Sequence, residues 1–176
     1  MNAAAAIAVC LNLGVSQNTI KKSLIKFSGV QRRMTKIFSK NNSDFFDDYA
    51  HHPTEIQSIL EGVKNVHKDK EIISVFEPHR YSRVLSLKKE FAKSFINSNL
   101  VLLCPIYSAG EKRDRKYNIN DFAKLIVKLS KTQVIIIQNY NEIEKYFKKN
   151  LTQNRIIIGM GAGSISKYMR ELKTVL

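Results

Sequence analysis

The sequence is poor in cysteine and has no long apolar run. Its 176 residues include two cysteines, Cys10 and Cys104, and neither has a spacing that suits a metal site. This scarcity argues against a disulfide framework and favours a reduced, cytoplasmic protein. No window approaches the roughly 20 consecutive apolar residues that a membrane-spanning helix requires, so we expect no association with a membrane.

The first fourteen residues, MNAAAAIAVCLNLG, share only their apolar character with a signal peptide. They lack a basic region ahead of the apolar stretch. The apolar stripe leads into an amphipathic pattern, so we expect folded helix here rather than a targeting segment.

Acidic residues are also scarce, since 15 Asp and Glu stand against 29 Lys and Arg and give a formal net charge of +14. A charge of this size favours nucleic-acid binding. The basic residues are nevertheless scattered, no block of five like charges occurs, and aromatic residues are not interleaved with them. We therefore expect no nucleic acid as the main partner, although a positive field would attract small anionic substrates.

Three well-known catalytic or binding motifs are missing. The sequence has no Gly-x-x-x-x-Gly-Lys-Ser/Thr phosphate loop, no Gly-x-Ser-x-Gly elbow and no dense set of metal ligands. The run GMGAG at residues 159–163 has the spacing Gly-x-Gly-x-Gly, which differs from the dinucleotide fingerprint. We expect these glycines to allow a tight strand-to-helix turn or a close approach of the backbone.

Apolar strand-like runs alternate with amphipathic helical runs beyond residue 34. The predicted strands cover residues 45–49, 72–76, 100–104, 134–137 and 156–158, and the predicted helices cover residues 53–66, 84–96, 119–129, 142–147 and 164–172. Continuous apolar strands that alternate with helices predict an α/β fold, in which a mostly parallel sheet is covered by helices on both faces.

The first part of the chain has a different pattern. Residues 3–27 predict a pair of helices, the second of them capped by Ser16, and residues 30–43 predict an irregular stretch with one short strand at 35–38. We therefore place a domain boundary near residue 34, with residues 1–33 and 34–176 on its two sides.

Chemically active residues are concentrated after four of the predicted strands. The segments are DDYAHHP at 47–53, EPHRYSR at 77–83, PIYSAGE at 105–111 and GMGAGS at 159–164. Ligands of open parallel sheets bind outside the carboxyl ends of the strands. The sequence therefore predicts a site at this edge of the sheet.

Two pairs in these segments suit anionic or hydroxylated ligands. Asp47 and Asp48 are adjacent on a strand, so at most one should face the site, where a carboxylate can accept hydrogen bonds from a ribose diol. The alternative is a turn or a helix cap. Arg80 and Arg83 are three residues apart near a helix start, which would place both on one face and suit a carboxylate or phosphate. The alternative is a surface ion pair.

The remaining candidates are less specific. His51 and His52 are adjacent and should diverge, which disfavours a shared metal. We expect one of them to orient a substrate and the other to anchor the loop. Tyr107 and Glu111 suit loop packing as well as catalysis.

These segments resemble the motifs of the Mur ligases. The resemblance is carried by DDYAHHPTEI at 47–56 and FEPHRYSR at 76–83, with similar segments at 2–9, 27–33, 107–111 and 159–165. HHPTE together with PHR-x-x-R resembles the branch of the family that adds L-alanine to UDP-N-acetylmuramate. The recycling branch, which attaches a tripeptide to the same sugar nucleotide, shares HHPT and is the nearest alternative, but PHRYSR argues against it.

The resemblance implies a ligase of three domains, of which the first binds the UDP-sugar and the second binds ATP through a phosphate loop. The third is Rossmann-like and closes over both. Residues 34–176 resemble this third domain, and residues 1–33 resemble the last helices of the second. The family's phosphate-loop lysine and its Mg²⁺ ligands have no counterpart here. We therefore expect a fragment, a split gene or a misplaced start, a chain that is inactive alone, and Mg²⁺ ligands in the remaining ligase domains.

The resemblance also implies roles for individual residues. On the ATP side these are Asn2 near adenine, Arg33 at the phosphates, Asp48 at the ribose and Tyr49 in the cleft. On the amino-acid side they are His51, His79, Arg80 and Arg83. The implied activity is ATP-dependent amide formation in peptidoglycan synthesis, through an acyl-phosphate. A binding module without activity and a basic nucleic-acid-binding domain remain the alternatives from other classes.

Overall fold

The computed structural model describes residues 2–27 and 29–176, with the side chain of Asn2 outside the described part. The chain divides into two compact units, Met1–Val30 and Gln31–Leu176. The boundary that we predict near residue 34 thus falls just inside the second unit. The assignment of residues 1–33 to a preceding ligase domain stays a prediction.

The first unit is the predicted helix pair. Helix α1 spans Asn2–Asn12 and helix α2 spans Gln17–Lys26. Ser16 caps α2, since its hydroxyl oxygen accepts a hydrogen bond from the backbone N–H of Thr19 at 3.2 Å. No described side chain of this unit is buried, and several large apolar ones, including Leu13, Ile25 and Phe27, are exposed.

The described part of the second unit contains six strands and six helices. The strands are β1 (Thr35–Lys40), β2 (Ser43–Asp48), β3 (Glu71–Phe76), β4 (Leu100–Leu103), β5 (Gln133–Ile136) and β6 (Arg155–Met160). The helices are α3 (Pro53–Val66), α4 (Tyr81–Ser86), α5 (Lys88–Lys93), α6 (Ile119–Ser130), α7 (Asn141–Asn150) and α8 (Ile165–Val175).

The strands form one sheet in the order β1-β2-β6-β3-β4-β5. All of its pairs from β2 to β5 are parallel, and β1 pairs with β2 in the antiparallel sense. Neighbouring residues on the central strands face opposite layers. Ile72 and Ile156 belong to a core beneath α3, α5 and α6, whereas Ile73 and Ile157 belong to a core beneath α7 and α8. The predicted α/β fold, with helices on both faces, is confirmed.

Two predicted elements differ from the observed ones. The stretch 30–43, which we expect to be irregular apart from a short strand at 35–38, contains that strand as β1, extended to Lys40, and the turn of the β1–β2 hairpin. Its two-residue turn is formed by Asn41 and Asn42, both with positive φ (51° and 54°), as a type I′ turn requires. Asparagine tolerates this conformation better than most residues. The adjacent asparagines therefore indicate a turn, although the polar composition of the stretch suggests irregular structure.

The helix predicted at residues 84–96 is wrong in extent. The structure has α4 and α5 instead, separated by Leu87 (φ −115°, ψ 26°). The hydroxyl of Ser86 donates to the carbonyl of Arg83 at 3.1 Å and competes for a helical acceptor, which favours a break at this point. In the ranges 2–27 and 29–176, no helix is both long and apolar enough to cross a bilayer.

Candidate functional site

Strands β2, β6, β3 and β4 are neighbours in the sheet, so the segments that follow them meet at one edge. A row of rings crosses this edge. The ring centroids of Tyr49 and His51 are 5.0 Å apart, and those of His51 and His79 are 5.7 Å apart. The row ends where His79 stacks on Tyr107, with centroids 5.4 Å apart and ring planes 17° from parallel. The structure therefore brings together side chains from three of the four predicted segments.

The backbone holds the last two members of this row. The segments around His79 and Tyr107 form an isolated parallel bridge, in which Tyr107 N–H donates to the Pro78 carbonyl at 2.8 Å and Arg80 N–H donates to the Tyr107 carbonyl at 2.9 Å. Arg80 itself has φ +69°, a value that a non-glycine residue adopts only at a cost. A strained arginine beside a histidine is typical of a functional site.

The environment of His79 favours its neutral form. Partial burial, followed by the charges of Arg83, His51 and Arg80, lowers the pKa of His79, and Glu111 opposes this shift. Arg83 Nη1 lies 3.4 Å from His79 Nδ1. Because a guanidinium can only donate, Nδ1 must be the acceptor, and the neutral ring carries its proton on Nε2.

His51 has the opposite tautomer. Its Nδ1 lies 2.9 Å from the carbonyl oxygen of Tyr49, which can only accept, so Nδ1 carries the proton and Nε2 has a free lone pair. The Glu55 carboxylate accepts from the backbone N–H groups of His51 (3.0 Å) and His52 (3.2 Å) and so fixes the start of α3. The site thus offers an N–H donor on one ring and a nitrogen acceptor on the other.

The two predicted arginines lie near His79, but not as members of one helix face. Arg80 precedes α4 as its N-terminal cap and is exposed, whereas Arg83 lies within the helix and is half-buried. The helical spacing that we expect for this pair is therefore wrong. The Glu111 carboxylate accepts from the N–H (3.1 Å) and hydroxyl (2.5 Å) of Ser82, so it already occupies the start of this short helix.

The adjacent carboxylates diverge, as predicted. Asp47 is fully buried and accepts from the hydroxyl of Ser166 (2.6 Å) and from Arg170 (3.1 Å) on α8. Asp48 is 1% exposed and accepts from the backbone N–H groups of Met34 and Ala50, both at 2.7 Å. Burial raises the pKa of Asp48, and these two donors oppose the increase. Both carboxylates thus anchor the end of β2, and a ribose-binding role for Asp48 stays a prediction.

Arg32, which sequence reasoning missed, is more closely engaged than Arg33. Its guanidinium lies 4.6 Å from the centroid of the Tyr49 ring and donates to the Gly161 carbonyl at 2.6 Å. The exposed Arg33 lies 5.8 Å from the same centroid. The sequence alone does not indicate which of the two adjacent arginines makes these contacts. Arg32 therefore joins the chain before β1 to the glycine-rich turn, whereas Arg33 is exposed and its charge acts on Asp48, whose pKa it lowers.

Glu77 is a second residue without a predicted role. It is fully buried directly after β3, where its carboxylate accepts from Tyr140, Ser164 and Ile165. The signal available in the sequence was a glutamate that follows an apolar strand and precedes a proline. The glycine-rich turn lies against it, since a Cβ on Gly163 would lie 2.5 Å from Glu77 Oε1 and 2.6 Å from Tyr107 Cδ2. The expected close approach at these glycines is confirmed.

One predicted ligand contact lies outside the described side chains. The side chain of Asn2, the residue expected near adenine, is outside the described residues. In the described ranges, no group of three or more His, Cys, Asp or Glu side chains could hold a metal ion.

The family match and the similar curated proteins all point to the same family. The Mur ligase, glutamate ligase domain family matches residues 32–163. The UDP-N-acetylmuramate–L-alanine ligase of Pelagibacter ubique is 49% identical over 175 residues, which is 99% of this chain and 38% of that protein. The ligase of the same name from Carboxydothermus hydrogenoformans is 37% identical over 172 residues, 98% of this chain and 37% of that protein. The chain thus spans less than two fifths of the length of these curated relatives.

Solved structures agree with this assignment. The UDP-N-acetylmuramate–alanine ligase of Thermotoga maritima has a TM-score of 0.76 at 26% identity and is matched over 98% of this chain and 36% of that one. A murein peptide ligase of Psychrobacter arcticus has a TM-score of 0.75 at 25% identity, with 99% and 36% of the two chains covered. Because the family match covers most of the chain and the sheet has the same architecture, this chain belongs to the Mur ligase family and contains its glutamate ligase domain.

Proposed function

We propose that the chain is the C-terminal portion of a ligase that joins L-alanine to UDP-N-acetylmuramate at the expense of ATP. The observation that carries this proposal is the row from Tyr49 to Tyr107, which sets two histidines of opposite tautomer beside two arginines. The names of the curated relatives supply the substrates, and the motif PHRYSR supports the alanine-adding branch.

The chemistry of amide formation suits this row. The muramate carboxylate takes the γ-phosphoryl group of ATP, which gives an acyl-phosphate and ADP. The alanine amine then attacks the acyl carbon, and inorganic phosphate leaves from a tetrahedral intermediate. Both nucleophiles of this reaction belong to the substrates, so the chain contributes positioning and charge stabilisation.

Arg80 and Arg83 are the groups for the anions of this reaction, the alanine carboxylate and the acyl-phosphate. His79, neutral with its proton on Nε2, donates a hydrogen bond to one of them. His51 Nε2 has the free lone pair that can accept a proton as the amine becomes a nucleophile.

The ATP side of the proposal rests on Arg33, Asp48, Tyr49 and Asn2. Arg33 is exposed and available for phosphates, and one face of the Tyr49 ring is covered by Arg32. The Asp48 carboxylate keeps unused lone pairs but is buried, so ribose binding requires the end of β2 to open when the domains close. The Mg²⁺ that accompanies ATP would be held by residues of the remaining ligase domains, as would the UDP-sugar. We therefore infer that this chain has no ligase activity alone and works in the cytoplasm, where these substrates are made.

The recycling reaction, addition of a tripeptide to the same sugar nucleotide, is the second candidate. Its support is the murein peptide ligase of Psychrobacter arcticus, whose TM-score of 0.75 almost equals the value of 0.76 for the alanine ligase of Thermotoga maritima. Fold similarity does not separate the two branches, so substrate choice must.

A chimeric enzyme tests the proposal. This chain replaces the matching 175 residues of the Pelagibacter ubique ligase, and ADP release is measured with UDP-N-acetylmuramate and either L-alanine or a tripeptide. We expect alanine-dependent turnover, with no turnover by the isolated chain. Arg80→Ala should raise the KM for alanine about 10- to 100-fold through loss of an ionic hydrogen bond, with a much smaller change for ATP.

The control is Lys128→Gln, which removes a positive charge from the last turn of α6, at the opposite end of the sheet. It should leave both KM values unchanged. Turnover with the tripeptide but not with alanine would contradict the proposal and favour the recycling branch. Turnover by the isolated chain would contradict the inference that the other domains are required.

A further inference from the structure

We propose that Glu77 is a positioning residue, which holds the glycine-rich turn against Tyr107 and thereby fixes the amino-acid end of the site. No comparison assigns this residue a role. The proposal rests on the function proposed above, because that function assigns this end of the site to the amino acid. The contacts of Glu77 themselves are observed in the structure.

Glu77 connects three segments that are distant in sequence. Its Oε2 atom accepts from the hydroxyl of Tyr140, which precedes α7, and from the N–H (3.2 Å) and hydroxyl (2.7 Å) of Ser164. Its Oε1 atom accepts from the N–H of Ile165 at 3.3 Å. The side chain is fully buried and forms no ion pair with any residue in the described ranges. A buried carboxylate without a cation is costly, so its four donors must offset a large desolvation penalty.

The donors are arranged for an anion. Two of them are backbone N–H groups at the start of α8, which carry the positive end of the helix dipole and have no partner within the helix. Burial, followed by the neighbouring carboxylate, raises the pKa of Tyr140, so its hydroxyl keeps its proton and donates. Tyr140 is itself held in place by stacking on Tyr168, with centroids 3.9 Å apart.

The turn held by Glu77 is the surface on which Tyr107 rests. Gly163 lies between the Glu77 carboxylate and the Tyr107 ring, so near to both that a methyl group on it would overlap them. Tyr107 in turn stacks on His79 and holds the backbone on both sides of it. A displacement of the turn would therefore reach His79 through two direct contacts. The same turn reaches the ATP side more remotely, through the hydrogen bond of Arg32 to Gly161.

The test combines NMR of the chain with kinetics of the chimeric enzyme. In the chain, the nuclear Overhauser effect between the rings of His79 and Tyr107 should be lost in Glu77→Ala and weakened in Tyr140→Phe, which keeps the stacking ring. In the chimera, kcat/KM for alanine should fall about 10- to 100-fold in Glu77→Ala. Glu77→Gln keeps the shape and one acceptor oxygen, so it should recover part of that loss. The KM for ATP should change least in all three variants.

The matched control is Glu71→Gln, at the exposed start of the same strand, where Glu71 pairs with Arg155 at 2.8 Å. It should change neither the ring contact nor the kinetics. An unchanged ring contact in folded Glu77→Ala and Tyr140→Phe would overturn the proposal, as would an equal loss in Glu71→Gln. If the ring contact is lost but no form of the chimera uses alanine, the positioning role stands and the proposed function fails.

Discussion

At the scale of single residues, the neutral forms of the two site histidines carry their ring proton on different nitrogens. His51 donates from Nδ1 to a carbonyl, and His79 accepts at Nδ1 from a guanidinium. Each arrangement leaves Nε2 with a different function, acceptor on His51 and donor on His79. In their neutral forms the two imidazoles therefore offer one hydrogen-bond acceptor and one hydrogen-bond donor to a ligand.

His79 should titrate below the usual histidine value. Burial and the charges of Arg83, His51 and Arg80 oppose protonation of the ring, while Glu111 favours it. NMR titration of the chain should show a pKa for His79 below about 6.5. Removal of a neighbouring positive charge in Arg83→Gln should raise that pKa, whereas Lys128→Gln at the far end of α6 should not. An identical pKa of His79 in the wild type and in Arg83→Gln would contradict the contact between the Arg83 guanidinium and the His79 ring.

The same shift has a consequence for stability. Between the lowered pKa of His79 and about 6.5, the unfolded chain binds more protons at this position than the folded chain does. The contribution of His79 to the free energy of unfolding is therefore unfavourable at low pH and rises to zero as the pH passes about 6.5. Arg83→Gln should make this pH dependence shallower.

At the scale of elements, the sequence predicted the glycine-rich turn between β6 and α8 but not the residues that this turn contacts. A strand-to-helix turn with close backbone approach was foreseeable from Gly-x-Gly-x-Gly. Its partners were not, because Glu77 and Tyr107 lie far away in sequence and reach the turn only after the parallel strands pair. Spacing along a chain identifies local geometry, whereas the identity of a tertiary neighbour depends on sheet order.

Gly163→Ala should show how tightly this turn is packed. The new methyl group would overlap the Tyr107 ring and Glu77 Oε1, and relief of such overpacking costs about 1 to 3 kcal/mol. The control is Gly62→Ala in α3, where a Cβ would meet nothing within 4 Å. That substitution should stabilise the chain by about 0.5 to 1 kcal/mol, since alanine loses less conformational freedom than glycine in a helix. Urea unfolding of both variants measures the difference, and equal effects would contradict the packing described here.

Helices and strands were predicted most accurately where the apolar periodicity of the sequence is strong. The buried strands and the long helices α3 and α6 have clear patterns, and their bounds were predicted to within a few residues. The break at Leu87 was missed because the apolar pattern continues across it and only the hydroxyl of Ser86 marks it. Both strands of the β1–β2 hairpin were predicted, but the predicted β1 ended two residues early, at residue 38, because β1 is a partly exposed edge strand with mixed residues.

At the scale of the whole molecule, the chain combines a unit with a complete core and a unit without one. Every described side chain that is buried belongs to residues 31–176, where the two cores lie on opposite faces of the sheet. The fold class of this unit was predictable from strand and helix alternation alone. The site edge was predictable as well, because parallel strands must end together. The proposed substrates and the further ligase domains came only from the resemblance to the family.

Residues 31–176 should therefore fold without the preceding helix pair. Removal of residues 1–30 takes away no side chain that the structure describes as buried, so the free energy of unfolding should change by no more than about 0.5 kcal/mol. The excised peptide should be largely unfolded, because its helices of 11 and 10 residues are below the length of about 12 to 15 at which isolated helices become stable. Loss of Leu13, Ile25, Phe27 and the other exposed apolar side chains of this unit should also make the shortened chain less prone to aggregate. Urea unfolding and light scattering of the two chains measure both effects. A shortened chain that unfolds at much lower urea would show that the helix pair stabilises the ligase domain, and the domain would then have to be studied with these helices attached.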